Sequence, residues 1–406
     1  MAERMVIVGA GQAGGRAALT LRAEGHAGPV TLLGAEPLAP YERPPLSKGY
    51  LTGKADAASF TFAGADALAA AGIDFRPGCA VAAIDRGARE VVLAGGGRIA
   101  YDRLLLATGR DARRLPLAGP AADRVRYLRS LADADLLAAD LRRGGHLVVI
   151  GGGFIGLEVA ASAVELGCPV TVVELAPRLL GRAVPAELAA VLHERHLAAG
   201  IAIRLATGIA AVEEAGDGLA VVLTDGTRLD AATVLAGVGS VPCTGLAEAA
   251  GLAVDHGIVV DATLATSDPA ILAAGDCCAF PGPDGTLLRL ESWQNADRQG
   301  ARAGRNMLGA AEVSREPPWF WSDQHELTLQ IAGHPAAGRR TVDRPVEGGR
   351  LLFHLDDANA IVGVSSVGPA SVAREAKLAQ LLLERGLAPD PALLADPATR
   401  LKALLR

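Results

Sequence analysis

Short apolar runs that end in glycine organise this chain. Met5 to Val8 leads into Gly9-Ala10-Gly11-Gln12-Ala13-Gly14, and a helical spacing of apolar residues follows through Leu21. A second run, Val30 to Leu33, precedes the acid Glu36. The plan returns later. Leu147 to Ile150 enters Gly151-Gly152-Gly153-Phe154-Ile155-Gly156, a helix is expected to about Leu166, then the strand Val170 to Val173, and Glu174. Each copy reads as strand, glycine turn, helix, strand and acid, the full context of a dinucleotide-binding fingerprint.

The physics fixes these residue types. The first glycine permits a tight turn after the strand, the second lets backbone approach a pyrophosphate, and the third lets the helix pack close on the strand. The free N–H groups and positive dipole end of the helix then face phosphate charge. The acid accepts hydrogen bonds from adenosine ribose hydroxyls. Two copies in one chain imply two dinucleotides, most economically a tightly held FAD and an exchanging NAD(P)H.

The half-repeat extends further. Val81–Ile84 and Glu90–Leu93 read as strands, and Leu104 to Leu106 ends in Ala107-Thr108-Gly109-Arg110. A matching end, Val234 to Gly239 with Gly237 and Gly239, follows the β-rich run Ala220 to Leu229. Pro242 to Gly251 leads the chain back to the first domain. From about Pro317 the pattern changes to strands at Thr328–Ile331, Arg350–Leu355 and Ala360–Ser365, a helix Ser371 to Arg385 and a proline-punctuated tail. The expected fold class is therefore α/β, with two Rossmann-like dinucleotide-binding domains and a C-terminal α+β domain. The expected boundaries are residues 1–110 with 240–316 for FAD, 111–239 for NAD, and 317–406 for the third domain.

Composition narrows the function classes. At 406 residues the chain is long enough for two or three cores. A net charge of -6 argues against general binding to nucleic acid or membrane surfaces. The apolar stretch from Leu147 to Val164 carries four glycines and Glu158, so it reads as a strand feeding a helix and not as a membrane span. Met1 to Val8 lacks the pattern of a signal peptide, and a cytoplasmic location is expected. Cys79, Cys168, Cys243, Cys277 and Cys278 form no C-x-x-C pair, so neither a zinc cage nor a redox dithiol is written, and no metal is expected.

Further segments carry a resemblance. Pro40-Tyr41-Glu42-Arg43-Pro44-Pro45-Leu46-Ser47-Lys48, Thr266-Ser267-Asp268-Pro269 with Ala274-Gly275-Asp276-Cys277, Glu291 to Ala296, and Pro318-Trp319-Phe320-Trp321-Ser322-Asp323-Gln324 stand in one order along the whole chain. With the glycine motifs they resemble the FAD-dependent NADH:ferredoxin reductases of bacterial oxygenase systems, a glutathione-reductase-like fold. The group spans putidaredoxin reductase-like and aromatic-ring dioxygenase reductase-like proteins. Looser relatives are rubredoxin reductases, monodehydroascorbate reductases and apoptosis-inducing factor.

The resemblance implies roles for individual residues. For FAD these are Gly9, Gly11, Gly14, Glu36, Arg43, Lys48, Thr108, Gly109, Arg110, Asp276 and Trp293. For NAD they are Gly151, Gly153, Phe154, Ile155, Gly156, Glu174, Arg182, Gly237 and Gly239. Glu158 would sit near the nicotinamide and pair with Lys48, these two being the catalytic candidates. Plainer alternatives stand beside them: a structural salt bridge at Glu158, a helix cap at Asp276, packing for Phe154, and core or interface anchoring for Trp319 and Trp321. A helix is expected from Asn295-Ala296 to about Met307, its N-terminal dipole suited to an anionic reduced ring. Glu174 favours a free ribose 2′-OH, hence NADH, although Arg178 and Arg182 close behind could attract a 2′-phosphate.

The expected reaction is hydride transfer from the nicotinamide to the flavin, with the protein orienting the partners and excluding water. Disulfide reductases of similar fold need a cysteine pair at the flavin, and thiol-dependent oxidases need one in the segment that here runs Tyr41 to Lys54. That segment has none. Electrons would pass to an outside acceptor, a [2Fe–2S] ferredoxin serving a cytochrome P450 or ring-hydroxylating oxygenase, docked through arginines such as Arg298, Arg302, Arg305 or Arg339-Arg340. The protein is expected as a monomer or weak homodimer. Two alternatives remain: a rubredoxin or small-molecule (quinone or radical) reductase, and a low-turnover redox-sensing flavoprotein.

Overall fold

The structure, a computed structural model, describes residues 2–181, 184–282, 285–314 and 316–405. The chain divides into two compact units: Met1–Arg43, Asp56–Asp111 and Ser240–Arg315 form the first, and Pro44–Ala55, Ala112–Gly239 and Glu316–Arg406 the second.

The first unit is built on five parallel strands in the order Ile271–Ala273, Arg103–Leu106, Met5–Val8, Val30–Leu33 and Ile73–Arg76. Met5–Val8 and Val30–Leu33 are buried throughout, which is why these runs show no alternation. Helix Gln12–Ala23 lies against helix Trp293–Met307 at very close range. A Cβ on Gly300 would fall 2.3 Å from the Ala13 carbonyl oxygen, and one on Gly304 would fall 2.9 Å from that of Ala17. Small residues on both helices permit that approach. The unit also holds an antiparallel sheet of Val81–Asp85, Glu90–Leu93 and Arg98–Ala100 and a small sheet of Ile258–Val259, Cys278–Pro281 and Leu287–Leu288.

The second unit repeats the plan with four parallel strands: Ala202–Arg204, Val170–Val173, Leu147–Ile150 and Thr233–Ala236. A meander of Ile209–Ala215, Gly218–Leu223 and Arg228–Ala231 follows. The unit also holds a five-stranded antiparallel sheet, ordered Trp319–Gln324, Leu327–Gly333, Ile361–Gly368, Gly349–Leu355 and Arg340–Val346, with helix Ala370–Glu384 packed on it. This is the expected fold class, α/β twice over with an α+β C-terminal part.

Buried Arg344 ties down the C-terminal segment, donating to the carbonyls of Leu394 (3.1 Å), Asp396 (2.6 Å) and Thr399 (2.7 Å). Trp319–Gln324, Arg340–Val346, Leu131–Arg143 and Ala186–Ala198 are elements the apolar pattern did not single out. Leu131–Arg143 is nevertheless signalled by Ser130 and Asp133, which form a capping box. Among the described residues no helix is long and apolar enough to cross a membrane, and the five cysteines are free thiols.

Candidate dinucleotide sites

The two glycine turns are stereochemical copies. Gly9 has φ +108° and Gly151 has φ +104°, so both need glycine for the backbone alone. A Cβ at Gly9 would fall 2.1 Å from the Ala107 carbonyl oxygen, and one at Gly151 would fall 2.5 Å from that of Gly237. A Cβ at the third glycine would strike the first turn's own carbonyl: Gly14 at 1.8 Å from Gly9, Gly156 at 2.3 Å from Gly151. The middle glycine differs. Nothing lies within 4 Å of a Cβ on Gly11, and only the Gly237 oxygen at 4.0 Å approaches one on Gly153.

Both helices that follow start without a side-chain cap, at Gly11 and Gly153. Helices Leu131–Arg143 and Trp293–Met307 are by contrast capped by Ser130 and Ser292. An uncapped helix start beside an open glycine offers free N–H donors and space to an anion, which is what a pyrophosphate requires. The residues present therefore fit two dinucleotides.

Around the first turn, Glu36 accepts from the Tyr41 hydroxyl at 2.6 Å and from Arg43 at 2.6 Å. Burial works against the Arg43 charge, but Tyr41, Glu36 and Asp276 outweigh it and raise its pKa. Asp276 stands in the turn between strands Ile271–Ala273 and Cys278–Pro281, so it is no helix cap. Ser292 is the cap of the later helix, which starts at Trp293, two residues before the expected Asn295. Thr108 donates to the Cys243 carbonyl at 2.7 Å, and buried Arg110 pairs with Glu291. Glu42 and Asp297 were missed by sequence reasoning. Burial, then the charge of Asp297, raises the Glu42 pKa against a hydrogen bond from the Trp293 indole. Asp297 holds Gln12 (2.8 Å) and Arg16 (2.8 Å) at the start of the first helix.

Around the second turn the acid is held differently. Glu174 accepts from the backbone N–H of Gly152 at 2.6 Å and of Ala176 at 2.7 Å. Arg178 spends its guanidinium on its own loop, donating to the carbonyls of Val184 (3.0 Å) and Gly181 (2.9 Å). It is not presented to a 2′-phosphate. Arg182 lies outside the described residues. Phe154 opens the helix and meets Phe320 at 4.5 Å between ring centroids, while Ile155 is exposed.

In the same unit, buried Glu158 receives Lys48 Nζ at 2.9 Å, the Ser322 hydroxyl at 2.6 Å and the Ser47 hydroxyl. Every carboxylate oxygen is thus paired, which a charge at this depth requires. Ser47 and Ser322 had no role in the sequence reading, although both lie within motifs that carried the resemblance. Trp319 and Trp321 stack at 5.0 Å, and the Trp321 indole donates to Asp323 at 3.1 Å.

The arginines expected to face outward on helix Trp293–Met307 do not all do so. Arg302 is buried on the inward side of the helix, while Arg298 and Arg305 are partly exposed and Arg305 pairs with Glu312. Arg339 and Arg340 are exposed. Burial raises the pKa of the Cys277 and Cys278 thiols, which suits inert core thiols. Among the described residues no group of three or more His, Cys, Asp or Glu is gathered as a metal would need.

Comparison with known proteins agrees with this geometry. Residues 3–300 match the pyridine nucleotide-disulphide oxidoreductase family, and residues 319–405 match the reductase C-terminal domain. The chain is 42% identical to the ferredoxin–NAD(+) reductase component of the anthranilate 1,2-dioxygenase system of Burkholderia cepacia, over 100% of both chains. It is 39% identical to putidaredoxin reductase of Pseudomonas putida, over 99% of this chain and 97% of that one. Among solved structures, the ferredoxin reductase for the CYP199A2 system of Rhodopseudomonas palustris superposes with a TM-score of 0.93 at 37% identity, over 100% of both chains. The covalent putidaredoxin reductase–putidaredoxin complex gives 0.93 at 38% identity, over 99% of this chain and 98% of that one. Reductases of this kind contain FAD and use NADH, the two dinucleotides that the paired cradles fit. The chain belongs to the pyridine nucleotide-disulphide oxidoreductase family.

Proposed function

We propose that this protein is the FAD-dependent, NADH-oxidising reductase of a bacterial oxygenase system, serving a [2Fe–2S] ferredoxin that feeds a cytochrome P450 or ring-hydroxylating oxygenase. The observation that carries the reading is the end-to-end match to reductases of such systems in a chain holding two open, uncapped glycine cradles. FAD, when bound, accepts a hydride equivalent from reduced nicotinamide and releases its electrons one at a time to an iron–sulfur partner.

The chain's residues bind and orient. In this reading residues 1–110 and 240–316 hold FAD, 111–239 hold NADH, and 317–406 form the α+β domain. The glycine turn from Gly9 to Gly14 takes the FAD pyrophosphate and Glu36 its ribose, with Arg43, Thr108, Gly109, Arg110, Asp276 and Trp293 around the rest of the cofactor. Gly151, Gly153, Phe154, Ile155 and Gly156 receive NADH, with Gly237 and Gly239 in the facing turn. Glu174 reads the free 2′-OH, and Arg182 is also assigned to NADH. Lys48, paired to Glu158, is the working cation of the flavin site. The location is the cytoplasm, where a soluble ferredoxin and NADH are both at hand.

The test is turnover. Purified protein should transfer electrons from NADH to a [2Fe–2S] ferredoxin, read as ferredoxin-dependent reduction of cytochrome c. Lys48→Ala should slow flavin reduction by about a hundredfold, as loss of orientation does. Equal turnover with a quinone and none with any ferredoxin tried would replace this reading with that of a small-molecule reductase.

A further inference from the structure

Lys48 and Glu158 do not stand alone in the second unit. Beyond them runs a line of buried polar side chains that the reading above does not use. Gln324 Nε2 donates to the Ser322 hydroxyl at 3.1 Å, and Gln324 Oε1 lies 2.9 Å from His196 Nε2. His196 Nδ1 lies 3.2 Å from His325 Nε2, with the rings 4.8 Å apart. Ser322, Gln324 and His196 are each at most 1% exposed.

The charge of Glu158 fixes every donor in this line. A carboxylate only accepts, so the single Ser322 proton is committed to it at 2.6 Å. Ser322 must then accept from Gln324, which turns the Gln324 amide nitrogen toward Ser322 and its oxygen toward His196. That oxygen can be satisfied only if His196 carries its proton on Nε2. Burial lowers the His196 pKa and keeps the ring neutral, so Nδ1 is an acceptor and His325 must donate to it. One charge thus orders four groups in a single direction, and hydrogen bonds aligned this way strengthen one another in a dry interior.

The fold is arranged to hold the line. Ser322 and Gln324 are two apart on strand Trp319–Gln324 and share a face, while Trp321 and Asp323 bond each other on the opposite one. His325 and Glu326 make the hairpin turn, His325 at φ +55°, and Glu326 pairs with Arg195 at 2.7 Å, fastening the turn to helix Ala186–Ala198. Apolar residues would fill this space at less cost than a polar line. A structural core does not call for it; an oriented carboxylate does.

We propose that Ser322, Gln324 and His196 are positioning residues that hold the Glu158 carboxylate, and through it the Lys48 ammonium, in one orientation. This rests on the reading of Lys48 and Glu158 as the working pair. The charged and titratable groups facing the line are His193 and Arg195 from the helix, and His325 and Glu326 from the turn.

The experiment uses holoprotein and three readouts. Nitrogen NMR of wild type should show His196 as the neutral Nε2–H tautomer. Ser322→Ala and Gln324→Leu, checked for wild-type-like melting, should each reduce the rate of flavin reduction by NADH roughly tenfold, the effect of one lost bond to a charged group. Affinity for NADH should hold. Both variants should change the labelling rate of Lys48 by acetic anhydride, and Ser322→Thr, which keeps the hydroxyl, should restore rate and labelling. An Nδ1–H tautomer at His196 overturns the proposal. So does a folded Ser322→Ala protein with wild-type reduction rate and Lys48 labelling. If wild type is never reduced by NADH, the functional reading fails, while the tautomer and labelling results still judge the positioning line.

Discussion

The two glycine cradles are nearly superimposable in design, yet their acids are held in opposite ways. Glu36 is fixed by side chains, Tyr41 and Arg43, that come from the segment after the strand. Glu174 is fixed by backbone N–H groups, one of them from Gly152 inside the cradle. An acid paired to arginine has its charge neutralised and is held by tertiary structure, which suits a resident cofactor. An acid on backbone donors keeps its negative charge and closes the loop locally, which suits a ligand that must leave and must lack a 2′-phosphate. On the proposed function, the shared plan receives a dinucleotide, and the anchoring of the acid would separate holding from exchanging.

The sharpest way to break this symmetry is within a cradle. Gly14→Ala and Gly156→Ala put a methyl group inside a carbonyl contact and should cost about 3 kcal/mol or more, read as loss of soluble protein or of the melting transition. Gly11→Ala and Gly153→Ala meet open space and should leave stability within ~1 kcal/mol. They should instead weaken FAD and NADH binding respectively by more than about tenfold, the effect of one displaced phosphate contact. Equal destabilisation by both kinds of substitution would refute the division of roles among the glycines.

A smaller effect separates the acids. Glu174→Ala should reduce the preference for NADH over NADPH by about tenfold in kcat/KM, since it removes both a ribose acceptor and a repulsive charge. Arg43→Gln should leave that preference untouched and weaken retention of FAD, seen as flavin lost on gel filtration. If Arg43→Gln changed nucleotide preference, the contrast between the anchors would collapse.

Smaller still is a pH effect confined to the second unit. Burial first, then the neighbouring His196 ring and the Arg195 charge, push the His325 pKa down to about 4. Between 6.5 and that value the unfolded chain takes up a proton that the folded chain refuses, so stability is fully present above about pH 6.5 and is lost as pH falls toward 4. After discounting for partial exposure the loss should be about 1–2 kcal/mol, seen as a lower melting temperature at pH 4.5 than at pH 7. His325→Asn, which tolerates the left-handed backbone, should flatten that dependence. An unchanged slope would show that other groups carry it.

Much of this was legible in the residues. The paired runs Met5–Val8 and Leu147–Ile150 are strands at the expected bounds, because four apolar residues running into glycine have few other uses in a buried sheet. The glycine spacing was readable because sterics allow no other residue at Gly9 or Gly14. The anchoring of Glu36 and Glu174 was not, since both sequences show only an acid after a strand, and its partners come from turns whose path no local pattern encodes. Arg302 was misread as a surface arginine because which side of helix Trp293–Met307 turns inward depends on its close approach to Ala13 and Ala17. Ser322, Gln324 and His196 were invisible as a group because the line joins residues more than a hundred positions apart.

Anaerobic titration of the purified protein with NADH tests the central claim, that one chain holds a resident flavin and a second, exchanging dinucleotide. Bound FAD should bleach fully at one NADH per flavin, and NADPH should do so far more slowly. A colourless protein that takes up no flavin, or a bound flavin that keeps its colour under excess NADH, would contradict it.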